Sequence, residues 1–225
     1  MIARDISWCY GKKTVLENVS LAAEEGECVG IAGLNGSGKS TLLGILSGIL
    51  KPQGGSLSCF GHDMFSERKL FSKLIGYVPQ ENPLLSDLSV SDNLRLWSGT
   101  KPDADTELIA SLELGPLLNR RAGKLSGGEK RRVVIACALL GGQKILIMDE
   151  PTSALDIKQR EIIHRYIGGF TARKGVVIMT THDIMEMEMC DRLYYLSSHR
   201  LIESDRDTIV QKLRKETYNH ESDEF

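Results

Sequence analysis

The sequence predicts an α/β fold with a mostly parallel core sheet, an N-terminal antiparallel β region and an inserted helical subdomain. Three observations lead there. Three short apolar runs, "ECVGIAG" (Glu27 to Gly33), "KILIMDE" (Lys144 to Glu150) and "GVVIMTTH" (Gly175 to His182), have the look of strands buried on both faces. Each is followed by a polar or glycine-rich loop and then by a helical pattern, which places ligands at the strand carboxyl ends. Between about Gln80 and Lys124 the character changes and no buried-strand run appears.

The elements follow in order. "ISWCY" alternates like a half-buried strand. "GLNGSGKST", Gly33 to Thr41, fits G-x-x-x-x-G-K-[ST], follows a strand and opens the helical run "LLGILSGIL". Its backbone N–H groups can curl around phosphate oxygens, because the glycines put no Cβ in the way. A helix N-terminus adds partial positive charge. Lys39 supplies a point charge to the outer phosphates, and the Ser40 hydroxyl can ligate Mg²⁺. In the middle region, helical pieces are expected at "SDNLRLWS", with Ser91 as a possible cap, and at "DTELIASLEL", ending at Gly115-Pro116; prolines stand at 83, 102 and 116.

"LSGGEKRR", Leu125 to Arg132, contains a capping box: Ser126 can accept from the N–H of residue 129, and Glu129 can reach back to the N–H of residue 126. The box does not account for Gly127 and Gly128, each costing about 1 kcal/mol against alanine in a helix. The pair points to something that approaches the backbone closely, and an anion suits a bare helix N-terminus. Lys130, Arg131 and Arg132 either keep this neighbourhood positive or form a solvated face. "ILIMDE" ends a buried strand with Asp149 and Glu150, which point opposite ways and so have different jobs. Asp149 is the candidate to hold Mg²⁺ directly or through another ligand, and Glu150 the candidate general base. "RLYYLSSHRLIES" reads as a late hairpin, and "NHESDEF" as a frayed acidic tail.

Composition narrows the partners. The net charge of -2 favours no nucleic acid. Five scattered cysteines, Cys9, Cys28, Cys59, Cys137 and Cys190, form no C-x-x-C pair and read as reduced, cytosolic usage. The N-terminus carries charges where a signal peptide needs an apolar stretch. The longest apolar run, Val133 to Leu140, falls far short of the about 20 residues a membrane span requires, so no direct insertion is expected.

Taken together, these motifs resemble the ATP-binding cassette (ABC) family, the ATPase subunits of membrane transporters, from Tyr10 to about Ser204. "LSGGE" is similar to that family's signature motif, "YVPQE" places Gln80 at its Q-loop, "SALD" places Asp156 at its D-loop, and "TTHD" places His182 at its switch histidine. Tyr10 matches the aromatic that stacks on adenine. The resemblance implies ATP and Mg²⁺ as cofactors. Gly33, Leu34, Asn35, Gly36, Ser37, Gly38, Lys39, Ser40 and Thr41 would cradle the phosphates. Ser40, Gln80 and Asp149 would serve the metal. Glu150, His182, Lys39 and Gln80 would carry hydrolysis. It further implies a head-to-tail dimer, a homodimer by expectation. There Ser126, Gly127, Gly128 and Glu129 close on the γ-phosphate held by the other subunit, with Asp156 at the interface. Residues 1–79 and 144–210 would form the core, 80–143 the helical and signature subdomain, and 211–225 a helix end and tail.

Two positions depart from the family pattern, Glu129 where glutamine is commonest and Cys137 where arginine is frequent. The turn "SSHR" also lacks a glycine, which bears on local geometry. The expected function is the motor ATPase of a transporter, cytoplasmic and peripheral on the inner membrane face through separate transmembrane permease subunits. Contacts to those subunits are expected at Pro83, Leu84 and Leu85, with a slight lean towards export. The alternative is a soluble ABC-type ATPase of cofactor assembly, translation or DNA repair. A GTPase is disfavoured by the missing N-K-x-D motif, and a binding-only cassette by the intact Lys39, Asp149, Glu150 and His182.

Overall fold

All three apolar runs become adjacent strands of one sheet. The computed structural model describes residues 1–99 and 105–222; Pro102 and the last residues of the acidic tail, 223–225, lie outside them. The chain opens with β1 (Ile2–Tyr10) and β2 (Lys13–Ala22), then β3 (Cys28–Ala32) and α1 (Lys39–Leu46). Next come β4 (Gly54–Cys59), β5 (His62–Asp63), α2 (Arg68–Leu74) and β6 (Ile75–Val78). The helical region holds α3 (Val90–Ser98), α4 (Thr106–Ser111) and α5 (Gly127–Leu139). After it follow β7 (Ile145–Asp149), α6 (Ile157–Ala172), β8 (Val176–Thr180) and α7 (Ile184–Glu188). The hairpin β9 (Arg192–Ser197) and β10 (Arg200–Glu203) leads to α8 (Arg206–Ser222).

Two sheets result. A four-stranded antiparallel sheet has the order β2-β1-β4-β5, and a six-stranded sheet the order β10-β9-β3-β8-β7-β6. In the second sheet β9, β3, β8, β7 and β6 run parallel, and only β10 is antiparallel. β3, β7 and β8 are buried at every position, which is why they read as unbroken apolar runs. One core lies between the two sheets around α1. A second lies between the other face of the parallel sheet and the helices α3 to α6. Because β3, β8, β7 and β6 are neighbours, the loops leaving their carboxyl ends must converge.

β6 is the strand that periodicity does not reveal. It has four residues, one of them Gly76, where a Cβ would meet the Ala138 carbonyl oxygen at 2.3 Å. The glycine lets α5 lie directly on the sheet edge, and tertiary packing, not β propensity, selects it.

The helical region departs from expectation at its ends. α3 is capped by Ser89, whose Oγ accepts from Asp92 N at 3.1 Å and donates to Asp92 Oδ2 at 2.6 Å. Ser91 therefore lies inside the first turn. The fully buried Asn93 side chain brackets Leu85 through both N–H and C=O, holding the loop that follows Gln80. α4 ends at Ser111, short of Gly115-Pro116, because Glu113 turns left-handed (φ 52°) and sends both Leu112 and Leu114 into the core. The stretch 219–222, expected to fray, continues α8.

Candidate active site

The glycine loop after β3 is shaped by what surrounds it. A Cβ at Gly33 would strike the Leu196 carbonyl oxygen at 2.4 Å, and Gly38 sits at φ 107°, open only to glycine. Gly38 also stands at the N-cap of α1 and offers no side chain, so the first-turn N–H groups are left for a ligand. Lys39 Nζ donates to the Gly33 and Leu34 carbonyls at 2.8 and 3.0 Å, folding the ammonium into the loop. Burial lowers its pKa, against the opposing pull of Glu150 and Asp149. Ser37 Oγ is buried without a hydrogen-bond partner, an acceptor-seeking hydroxyl inside the cradle.

This loop forms one wall of a cleft of about 560 Å³ that Tyr10, Asn35 to Thr41, Gln80, Asp149 and Glu150 line together. Tyr10 is 55% exposed at its rim and meets Trp8 edge-on, ring centroids 5.7 Å apart. The β9–β10 turn reaches the same cleft through Ser198 and His199, both left-handed (φ 48° and 68°) despite the missing glycine. The turn thus bears on the cleft as well as on local geometry. The His199 carbonyl accepts from Glu17 N at 2.8 Å, and that bond helps hold the two sheets together beside the cleft.

At the end of β7 the two carboxylates do point apart. Asp149 is buried, and its Oδ1 accepts from Thr180 Oγ1 at 2.5 Å. Glu150 turns into the left-handed region (φ 44°), and its N–H donates to the same Thr180 Oγ1 at 3.0 Å. Its carboxylate meets Gln80 Nε2 at 3.3 Å through Oε2 and His182 Nδ1 at 3.5 Å through Oε1. Thr180 on β8 thus orients both acids, a role that the motif "TTHD" alone does not reveal. Replacing Thr180 by valine should leave a buried carboxylate oxygen and a partly buried N–H unpaired, at a cost of about 1–3 kcal/mol. Urea denaturation would measure it, and an unchanged midpoint would remove Thr180 from this role.

A second buried acid, absent from the sequence-level candidates, ties the next loops together. Glu186 accepts from Thr152 Oγ1 at 2.6 Å through one oxygen and from Thr181 Oγ1 through the other. It joins the turn after Glu150 to the segment bearing His182. Position 186 carries no motif in a single sequence, and only the packing of α7 brings it in.

The "LSGGEKRR" segment behaves as the capping box predicts: Ser126 Oγ accepts from Glu129 N at 3.2 Å, and Glu129 Oε2 from Ser126 N at 2.8 Å. Glu129 Oε1 also accepts from Arg120 Nη1 at 2.9 Å. Burial disfavours the charge, but the Ser126 N–H and Arg120 hold the carboxyl below its ordinary range. The structure departs from expectation at two points. Arg131 and Arg132 are not a solvated face; they are 4% and 5% exposed and bonded inward. Gly128 is small because a Cβ would strike Gln159 Cγ at 2.3 Å, so its vacancy is filled by the chain itself; Gly127 alone faces open space. Asp156 caps α6 by accepting from Gln159 N at 2.9 Å. The start of α6 therefore packs on the start of α5. None of Ser126, Gly127, Gly128, Glu129 or Asp156 lines the cleft that holds Lys39 and Glu150.

For a divalent ion, Ser40, Gln80 and Asp149 bring a hydroxyl, an amide and a carboxylate to one cleft, oxygen donors of the kind Mg²⁺ takes alongside phosphates and water. Among the described residues no cluster of three His, Cys, Asp or Glu offers an all-protein cage.

The family model described as ABC transporter matches residues 16–153. The chain belongs to the ABC transporter family. Across 210 residues this ABC cassette is 36% identical to a Nod factor export ATP-binding protein I from Rhizobium etli, covering 90% of this chain and 66% of that protein. The chain spans about two thirds of the length of the curated relatives it matches. Among solved structures it is similar to an ATP-binding subunit of an ABC transporter (TM-score 0.82, 26% identity, 94% of this chain and 92% of that one). It is also similar to a dimeric ATP-binding cassette in a post-hydrolysis state bound to ADP and Pi (TM-score 0.80, 29% identity, 91% and 98%). The α/β fold with one antiparallel and one mostly parallel sheet is that of an ABC cassette.

Proposed function

We propose that this ABC cassette is the ATP-hydrolysing subunit of an ABC exporter, working as a head-to-tail pair on separate transmembrane subunits. The observation that carries the reading is a division within one chain. Lys39, Ser40, Gln80, Asp149 and Glu150 share one cleft with an uncapped helix N-terminus, while the glycine-bearing start of α5 lies outside it. One chain holds two half-sites, and a second copy completes both. The 80–143 segment is read as the arm that carries the signature loop, within a single cassette.

The roles follow from chemistry. N–H groups of residues 33–41 and Lys39 bind the phosphates of ATP, and Tyr10 takes the adenine. Bound through Ser40, Gln80 and Asp149, Mg²⁺ would neutralise the β- and γ-phosphate oxygens. Glu150 accepts a proton from the attacking water, Gln80 positions that water, and His182 donates to the γ-phosphate from beside Glu150. Ser126, Gly127 and the capped N-terminus of α5 receive the γ-phosphate of the partner's ATP, with Asp156 at the interface.

No described helix is long and apolar enough to cross a membrane. Transmembrane partners would dock at the groove lined by Pro83, Leu84 and Trp97, with the exposed Leu85 and Leu96 beside it. On this reading the cassette lies peripherally on the inner membrane face. Export is the direction that the curated relative's name supports.

The test has two parts. Phosphate release from Mg²⁺-ATP should rise more steeply than linearly with chain concentration; strict proportionality would reject sites shared between copies. A photo-crosslinker at Leu85 should capture an integral membrane protein in the producing cell. A chain found wholly in the soluble fraction, with no such adduct, would favour the soluble ATPase instead.

A further inference from the structure

Arg131 donates hydrogen bonds to five backbone carbonyls, and no role above uses it. It sits one turn into α5 and is 4% exposed. A guanidinium is a flat fork of five N–H donors. Here Nε donates to Pro151 O at 2.9 Å, Nη1 to Gln80 O at 3.3 Å and, more closely, to Pro79 O, and Nη2 to Asp149 O at 2.6 Å and Glu150 O at 3.2 Å. Every acceptor is a backbone carbonyl. All lie where β6 and β7 end, beyond the ladder that joins Val78 to Met148. Left unpaired, these carbonyls would each cost free energy in a buried setting. Burial lowers the guanidinium's pKa to about 10, against the pull of Asp149 and Glu186, so it stays charged at neutral pH.

The two segments it clasps are those whose side chains meet in the cleft, Gln80 Nε2 against Glu150 Oε2 at 3.3 Å. Glu150 also holds a left-handed backbone (φ 44°) that a non-glycine residue adopts only when its surroundings impose it. We propose that Arg131 is a positioning residue for hydrolysis, setting the backbone of Gln80 against that of Asp149 and Glu150. Because its own backbone belongs to α5, movement of the helix that begins at Ser126 is passed to both segments through one rigid planar group. The proposal rests on the ATPase reading of the cleft.

Lysine keeps the charge but presents three donors on a tetrahedral ammonium and cannot span the five carbonyls. The full-length chain and its Arg131→Lys and Arg131→Ala variants would be assayed for phosphate release across ATP concentrations. Monomer affinity for a fluorescent ATP analogue and thermal midpoint would be measured alongside. Misplacing the base relative to the water should lower kcat by about 100-fold. KM and monomer affinity should stay within about threefold. Millimolar guanidinium, filling the space left in Arg131→Ala, should restore much of kcat, and methylammonium at equal concentration should not. Normal kcat in both variants overturns the positioning role. So does a kcat loss that guanidinium leaves unrepaired and that an equal loss of monomer affinity accompanies. If the alanine variant does not fold, the kcat-against-KM split of Arg131→Lys decides alone. An unmutated chain with no Glu150-dependent turnover overturns the ATPase reading, and this role with it.

Discussion

Glu150→Gln is expected to abolish ATP turnover, lowering kcat by roughly 10²–10⁴-fold, the usual contribution of a positioned general base. The change is nearly isosteric, so the surroundings that place the residue survive it: the N–H to Thr180 Oγ1 at 3.0 Å and the carbonyl to Arg131 Nη2 at 3.2 Å both belong to the backbone. What goes is the ability to take a proton from water. In the proposed mechanism ATP binding draws on the uncapped N-terminus of α1 and on Lys39, and it should persist. The variant should therefore accumulate in the ATP-bound pair, eluting as a dimer in gel filtration with ATP and as a monomer without it. Normal turnover in this variant would remove Glu150 as the base, and a monomer under both conditions would remove the closed pair.

Ser126→Arg tests the second half-site and should be nearly as damaging. Ser126 is exposed and lies outside the cleft of its own chain. Losing its cap costs about 1 kcal/mol. α5 tolerates this, since Glu129 still accepts from the backbone N–H of residue 126 and the helix is held by its buried face. A bulky cation beside Gly127, where a Cβ would meet open space, should prevent a partner's triphosphate from docking. Hydrolysis should fall to background, while the ATP affinity of the monomer stays within about twofold, because the binding interactions of that monomer are untouched. Collapse of monomer affinity would mean that the loop acts on nucleotide in its own chain.

Much of the site was legible because phosphate chemistry needs particular residue types at close spacing. The glycine loop from Gly33 to Thr41, the acids at 149 and 150 and the capping box at 126 and 129 are each contiguous, and each lies where its local pattern places it. The misses are of another kind. Thr180 and Glu186 act on groups 30 and 34 residues away, Thr180 on Glu150 N and Glu186 on Thr152. β6 is a strand by virtue of α5 lying on Gly76, and Arg131 is a clasp only because β6 and β7 end side by side. Gly128 suggested an anion, and the space turned out to be occupied by Gln159.

From sequence alone followed the α/β class, the glycine loop that opens α1, the acids at the end of β7 and the start of α5. Those are properties of short segments, set by backbone freedom, capping and alternation along a strand. Tertiary structure decided which segments face one another. It joined Gln80, Glu150 and His182 in one contact set, kept Ser126 and Asp156 out of it, and turned two arginines of a basic run inward. The reason is that parallel strands set side by side are joined by crossovers distant in sequence, so their carboxyl-end neighbours are set by sheet order and not by proximity along the chain.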